Sequence, residues 1–157
     1  MKKTIVYVLI ILSVLAAPVR GTDVGKLRPV QAISISIQNG DCIIRTDTGD
    51  MGTGKTGMQA LANLKATTPA VIYLDTADYL LLGENADPVL EELRGRLKKN
   101  IRLCRVKEEI NPKKAAEYLR VHKKLPRLKD WKTNENLPFL EHFGERLILL
   151  KKDGKKC

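Results

Sequence analysis

The segment with the clearest chemical pattern is Gly49-Asp50-Met51-Gly52-Thr53-Gly54-Lys55-Thr56, which matches the phosphate-binding P-loop at every defined position. In such a motif, backbone N–H groups of the loop and of the following helix bind phosphate oxygens. The Lys55 ammonium would neutralise the terminal phosphates, and the Thr56 hydroxyl would reach a magnesium ion. The acidic partner of that metal would be Asp75, which follows the apolar run 71–74. A nucleotide site would therefore comprise Gly49, Gly54, Lys55, Thr56 and Asp75.

The residues around this motif argue against nucleotide binding. A P-loop follows a central strand that is buried on both faces, whereas residues 45–48 are polar. The chain of 157 residues leaves little room for the extra strands of a nucleotide-hydrolysing fold. Thr56 and Gln59 also form a capping-box pattern, which gives Thr56 a structural role at the start of a helix. Nucleotide binding by the P-loop is therefore the alternative hypothesis.

No other set of residues has the spacing of a catalytic or metal centre. His122 and His142 have no nucleophile or carboxylate at a recognised spacing. Cys42, Cys104 and Cys157 match no metal template. The first two lie in strand-like segments, which favours small core residues over a disulfide. We predict no catalytic residue, no metal ligand and no cofactor.

An N-terminal leader indicates the compartment. Lys2 and Lys3 precede an uncharged run, residues 4–17, in the pattern of a signal peptide, and the run is short for a membrane-spanning helix. Cleavage after Ala16 or Gly21 would release the remaining chain, whereas an uncleaved leader would tether it to the outer face of the cytoplasmic membrane. Both alternatives predict an extracytoplasmic protein, in a space where nucleoside triphosphates are scarce.

The charge of the chain predicts its partners. There are 28 Lys and Arg against 18 Asp and Glu, a formal net charge of +10. Outside a cell, a basic protein meets anionic lipids and wall polymers before nucleic acid. Aromatic residues make up only 4% of the chain, which disfavours base stacking and hence a nucleic-acid partner. The predicted anion-contacting surface consists of Lys113, Lys114, Arg120, Lys123, Lys124 and Arg127.

The elements that position these residues alternate between strands and helices. Residues 33–37 alternate apolar and polar side chains, Asn39-Gly40 is typical of a tight turn, and residues 42–46 return as the partner strand. Residues 47–57 are expected to form a glycine-rich crossing. The further predicted strands are 71–74, 79–82, 101–106 and a last hairpin within 139–150.

Three predicted helices have apolar stripes that would pack on the sheet. Asp87-Pro88 and Asn111-Pro112 each place a capping residue before a proline at the first helical position. The inward stripes are Met58, Leu61, Ala62 and Leu64 in the first helix, Val89, Leu90, Leu93 and Leu97 in the second, and Ala115, Ala116 and Leu119 in the third. Trp131 is expected to fill the edge of the core. The predicted fold is α/β, with about three helices on a mixed sheet that a β-hairpin opens. Residues 1–21 are the leader, 22–29 a linker and 30–157 a single domain.

A longer pattern begins in the same glycine-rich segment. Its parts are Gly52-Thr53-Gly54-Lys55-Thr56-Gly57-Met58-Gln59-Ala60-Leu61-Ala62-Asn63-Leu64, Pro69, Gly83-Glu84, a leucine-bearing helix and the strand 101–106. Together they resemble the N-terminal domain of the Ger(x)C family, the C subunits of bacterial spore-germination nutrient receptors. The resemblance covers residues 30–122, with Gln59 where the family more often has Glu and no lipid-accepting cysteine after the leader. It implies a non-enzymatic domain that acts by contact outside the membrane.

The predicted function is therefore contact. We expect an exported α/β domain, related to spore germination, that binds an envelope protein or an anionic membrane or wall surface. The alternative is a P-loop nucleotide-binding protein that uses residues 49–56.

Overall fold

The computed structural model describes residues 27–68, 71–122, 124–132 and 136–151. Within these ranges the chain has the predicted α/β fold, with three α-helices and a mixed sheet. The predicted leader, Lys123 and Cys157 lie outside the described residues.

Seven strands form the main sheet in the order β4-β3-β2-β6-β7-β8-β9. Strands β2, β6, β7 and β8 run parallel to one another. Strands β3, β4 and β9 are antiparallel to their neighbours. The strands are β1 (Leu27–Pro29), β2 (Ala32–Gln38), β3 (Asp41–Thr46), β4 (Met51–Gly54), β5 (Val71–Tyr73), β6 (Tyr79–Leu82), β7 (Arg102–Val106), β8 (Phe139–Phe143) and β9 (Arg146–Leu150). The helices are α1 (Gly57–Thr67), α2 (Asp87–Leu93) and α3 (Pro112–Leu119).

The opening hairpin is confirmed. β2 and β3 pair in antiparallel register, with Ile37 opposite Cys42. Asn39 and Gly40 between them have φ angles of 53° and 80°. Positive φ at both central residues is what a two-residue turn needs to match the twist of its strands, and Asn-Gly adopts it at low cost.

The prediction of a glycine-rich crossing over residues 47–57 is wrong, because it contains the strand β4. Gly52 and Gly54 give this strand a bare side on which α1 lies directly. A β carbon at Gly52 would overlap the backbone of Ala60 and Leu64. Glycine lowers strand propensity, so only the packed helix explains why this segment is extended.

Two helices cover one face of the sheet and one helix covers the other. On the first face, α1 and α2 pack on strand residues such as Ile35, Leu80 and Leu103. On the second face, α3 packs on residues such as Leu81 and Cys104. Because successive strand residues point to opposite faces, both faces are apolar along β6 and β7.

Cys42 and Cys104 are core residues, as predicted. Cys42 belongs to the core of the first face and Cys104 to that of the second, so the sheet separates them, and both are free thiols. Burial raises the pKa of Cys104 to about 12. Burial, with the nearby Glu92 carboxylate, raises the pKa of Cys42 to about 11. Both thiols are therefore un-ionised and poor nucleophiles at neutral pH.

The predicted helix stripes are largely confirmed. Those of α2 and α3 are buried as predicted. In α1, however, Met58 and Ala62 are exposed, and Ala60 is buried beside Leu61 and Leu64. The small Ala60 faces inward because α1 approaches β4 too closely for a larger side chain. Trp131 is 1% exposed and fills the core as expected.

One of the two caps predicted from an Asx-Pro pair is wrong. The Asn111 side chain accepts a hydrogen bond from Lys113 N at 2.9 Å and caps α3 as predicted. Ala86 occupies the N-cap position of α2 without a side-chain hydrogen bond, and Asp87 is the first helical residue. The Asp87 carboxylate instead accepts a hydrogen bond from Arg105 at 2.8 Å, so an ion pair to β7 replaces the cap.

Side chains from the helices cover both edges of the main sheet. On the outer side of β4, Asn63 donates to the carbonyl of Thr53 at 2.7 Å. On the outer side of β9, the Tyr118 hydroxyl accepts from Leu149 N at 3.1 Å. Strand groups that would otherwise lack a partner are therefore engaged at each edge.

Candidate functional site

The P-loop match does not have the backbone conformation of a P-loop. Gly49 lies in the turn between β3 and β4, and residues 51–54 are extended, with Gly52 opposite Ile44 and Gly54 opposite Cys42. A phosphate-binding loop instead curves so that several N–H groups converge on one anion. Here those groups are spread along a strand.

Protein groups already occupy the positions where a phosphate would bind. The Glu92 carboxylate accepts hydrogen bonds from Gly57 N at 2.8 Å and from Met58 N at 3.1 Å. An anion is thus already present at the N-terminus of α1, where the helix dipole favours it. The Lys55 ammonium forms an ion pair with the Asp41 carboxylate at 2.7 Å. The Thr56 hydroxyl accepts a hydrogen bond from Gln59 N in the first turn of α1.

Asp75 is placed away from the rest of the predicted nucleotide site. It lies in the short 3₁₀-helix Leu74–Thr76, which follows β5 in the smaller sheet. Among the described residues, no hydrogen bond or ion pair joins Asp75 to Lys55 or Thr56. The five candidate residues therefore do not form one anion site.

The predicted cationic residues that the structure describes are exposed, and the first and last of them lie beside different strands. Lys113, Lys114, Arg120, Lys124 and Arg127 are all exposed. Lys113 lies beside the turn between β3 and β4, with which it lines a cavity. The backbone of Arg127 instead forms an isolated antiparallel β-bridge with the backbone of Arg102 at the amino end of β7. The helix α3 crosses the second face between these places, reaching β9 through Tyr118.

A denser basic surface forms where two distant segments pair. Leu128 N donates to Ile101 O, and Lys129 N donates to Lys99 O, both at 2.9 Å. Arg94 fixes the same arrangement by donating to the carbonyl of Trp131 at 2.7 Å. We call the result the amino-end surface, because it lies where the parallel strands β6 and β7 begin. Its cations are Arg96, Lys98, Lys99, Arg102, Arg127 and Lys129.

Few carboxylates neutralise the amino-end surface. Residues 94–102 contain none, and Asp130 is the only one in residues 124–132. Asp78 pairs with Lys98 at 2.9 Å. The guanidinium of Arg102 lies 5.6 Å from the ring centroid of Tyr79, and its Nη1 is 3.2 Å from the tyrosine hydroxyl.

The other four cations are available to a ligand. In the described part of the chain, Arg96, Lys99, Arg127 and Lys129 have no carboxylate partner. Arginine offers planar paired donors that match phosphate and carboxylate groups, and lysine offers a mobile point charge. The surface can therefore bind a polyanion through several contacts.

Sequence reasoning found only Arg127 among the six cations of this surface. It missed the other five because their two segments are far apart along the chain. The available signal was a pair of basic runs, one on each side of the third helix, but such runs are ordinarily solvated. Only the backbone pairing of the two segments shows that their charges share a surface.

Comparison with protein-family models, with curated proteins and with solved structures finds no match to this chain. Within the described ranges, no helix combines the length and the apolar character needed to cross a bilayer. Likewise, no three metal-ligating side chains among these residues are grouped closely enough to hold a metal ion.

Proposed function

We propose that this chain is an exported, non-enzymatic contact protein whose amino-end surface binds an anionic membrane of the cell envelope. The observation that carries this proposal is the backbone pairing of residues 99–103 with residues 126–129. It sets cations from two segments side by side, where each of them can contact the same anionic surface.

The energetics of charged membranes support this function. Each lysine or arginine near an anionic membrane contributes about 1 kcal/mol of attraction. Four cations of this surface have no carboxylate partner among the residues that the structure describes, so their charge is not offset locally. Their combined attraction of about 4 kcal/mol corresponds to weak, reversible binding, with a dissociation constant of about 1 mM.

The leader and the family resemblance support the location. A cationic start followed by a short apolar run is typical of exported chains. The resemblance to the Ger(x)C family supports a role in spore germination, in which this domain acts by contact outside the membrane. Deleting the gene in a spore-forming host should slow the germination response to nutrients, and fractionation should recover the protein outside the cytoplasm.

The decisive experiment measures binding to vesicles. The protein should bind vesicles of phosphatidylglycerol and phosphatidylcholine and should bind pure phosphatidylcholine vesicles weakly. The double variant Lys99→Glu, Lys129→Glu should lose at least about thirtyfold in affinity for the anionic vesicles, because two attractions worth about 2 kcal/mol together are lost and two repulsive charges are added.

A matched variant separates local from overall charge. Lys65→Glu with Arg146→Glu changes the net charge by the same amount, and both residues are exposed on other parts of the molecule. This variant should retain most of the affinity. Equal losses in the two double variants would contradict the assigned surface. Tighter binding to a DNA duplex or to an acidic protein than to the vesicles would contradict a membrane as the partner.

A further inference from the structure

A crevice opens at the opposite end of the parallel strands. Its volume is about 280 Å³. It is lined by residues 34 and 36–38 of β2, residues 83–85 after β6 and residues 106–109 at and after the end of β7. The chain leaves β6 for α2 on the first face and leaves β7 for α3 on the second face. In α/β sheets, ligands bind in the crevice that forms at the carboxyl ends of strands where successive connections diverge in this way.

One serine hydroxyl in this crevice, that of Ser36, is buried without a hydrogen-bond partner among the described residues. Ser34 is 6% exposed and lines the crevice. The Ser36 hydroxyl, two residues further on the same face of β2, is buried. Burying an unpaired hydroxyl costs free energy, and a natural protein usually provides a partner for it. A polar ligand in the crevice would supply that partner.

The carboxylates around the crevice determine which ligand charge it favours. Glu109 is neutralised by Arg45, whose Nη1 lies 3.1 Å from its Oε1. Lys107, the only cation of the lining, is neutralised by Glu141 at 2.6 Å. The two remaining carboxylates, Glu84 and Glu108, form no hydrogen bond or ion pair within the described ranges. The lining has three carboxylates against one cation, so it is negative although the whole chain is basic.

The neighbouring lysine already responds to this negative charge. A hydrogen bond and attraction from Glu141, together with attraction from Glu84, raise the pKa of Lys107. Glu84 thus favours ammonium groups in its surroundings. A bare metal ion does not fit, since the described carboxylates do not gather three to one point. The size of the crevice, roughly nine water volumes, suits a small organic ligand.

We propose that this crevice binds a small aliphatic ammonium compound. The ammonium group donates to the carboxylates of Glu84 and Glu108, and the unpaired Ser36 hydroxyl accepts a further hydrogen bond from it. The site is distinct from the amino-end surface, and its occupancy does not depend on the proposed membrane contact.

The experiment titrates the ¹⁵N-labelled protein with putrescine and follows its amide NMR signals. We expect saturable shifts at Gly83 and Asn85, which lie in the crevice wall. Glu84→Gln should weaken binding by about tenfold, because a hydrogen bond to a charged group is lost. Ser36→Ala should also weaken binding while leaving the thermal stability unchanged, since it removes a hydroxyl that has no partner in the free protein.

Controls separate this site from general attraction to acidic groups. Glu145→Gln removes an exposed carboxylate from the turn between β8 and β9 and should leave binding unchanged. Butane-1,4-diol, which has the same length without charge, should not bind. The proposal is overturned if putrescine causes no saturable shifts, if the diol binds equally well, or if Glu84→Gln with Glu108→Gln binds putrescine as the unmodified protein does.

Discussion

The two ends of the parallel strands differ in charge and in shape, although β2, β6 and β7 run between them. At the amino end, cations from two segments lie exposed on the surface. At the carboxyl end, carboxylates surround a crevice whose lining includes one buried serine hydroxyl without a partner, that of Ser36. The net charge of +10 describes neither end. The comparison teaches that the position of a charge on the fold, rather than the overall charge, determines which ligand it can bind.

The largest expected effect tests the sheet that joins the two ends. Gly52→Ala should lower the free energy of unfolding by about 3 kcal/mol, because its methyl group would overlap the backbone of α1. Chemical denaturation measures this loss. Gly95→Ala is the control, since a β carbon there would meet no atom within 4 Å. If Gly52→Ala left the free energy of unfolding unchanged, the close packing of α1 on β4 would not depend on a glycine at this position.

The salt dependence of ligand affinity should differ between the two ends, and the expected effect is intermediate in size. Raising the salt concentration from about 0.05 M to about 0.5 M should weaken vesicle binding by about tenfold or more, because the charges of a membrane and an exposed surface are screened. Putrescine binding should change by less than about threefold, because its contacts are at hydrogen-bond distance. Isothermal titration at both salt concentrations measures both affinities. Equal salt dependence at the two ends would remove the distinction between them.

The smallest expected effect tests whether residues 49–56 form a third ligand site. Glu92→Gln should cost about 1 kcal/mol of stability, because one of the two N–H groups at the start of α1 loses its charged acceptor. Glu117→Gln, an exposed carboxylate on α3, should cost less. A magnesium–nucleotide complex should not raise the melting temperature of the unmodified protein. If the nucleotide raised the melting temperature and Lys55→Ala abolished that rise, the nucleotide hypothesis would be restored. The molecule would then have a third ligand site besides the two ends.

Much of the fold could be predicted because local patterns agreed with the packing. The alternation in β2 and the Asn-Gly turn specify the first hairpin without reference to the rest of the chain. The stripes of α2 and α3 have the helical period, and Asn111 caps its helix through a contact two residues away. Contacts between residues that are close in sequence can therefore be predicted from the local order of residues.

The errors arise where distant residues decide the structure. β4 contains two glycines and is extended only because α1 lies on it. Residues 27–29, expected to be a linker, form β1 because they pair with β5. Asp87 has the pattern of a cap, yet its carboxylate is engaged by Arg105. The basic segments at 94–102 and 124–132 likewise acquire a common surface only through backbone pairing, which no local pattern encodes.

The covered strand edges have a consequence for behaviour at high density. Proteins that gather on a surface meet their own copies often, and an open strand edge then invites one copy to extend the sheet of the next. Asn63 at one edge and Tyr118 at the other hold backbone groups that such an extension would need. Substituting either side chain frees one of these groups and should therefore make concentrated samples more prone to fibrous assembly.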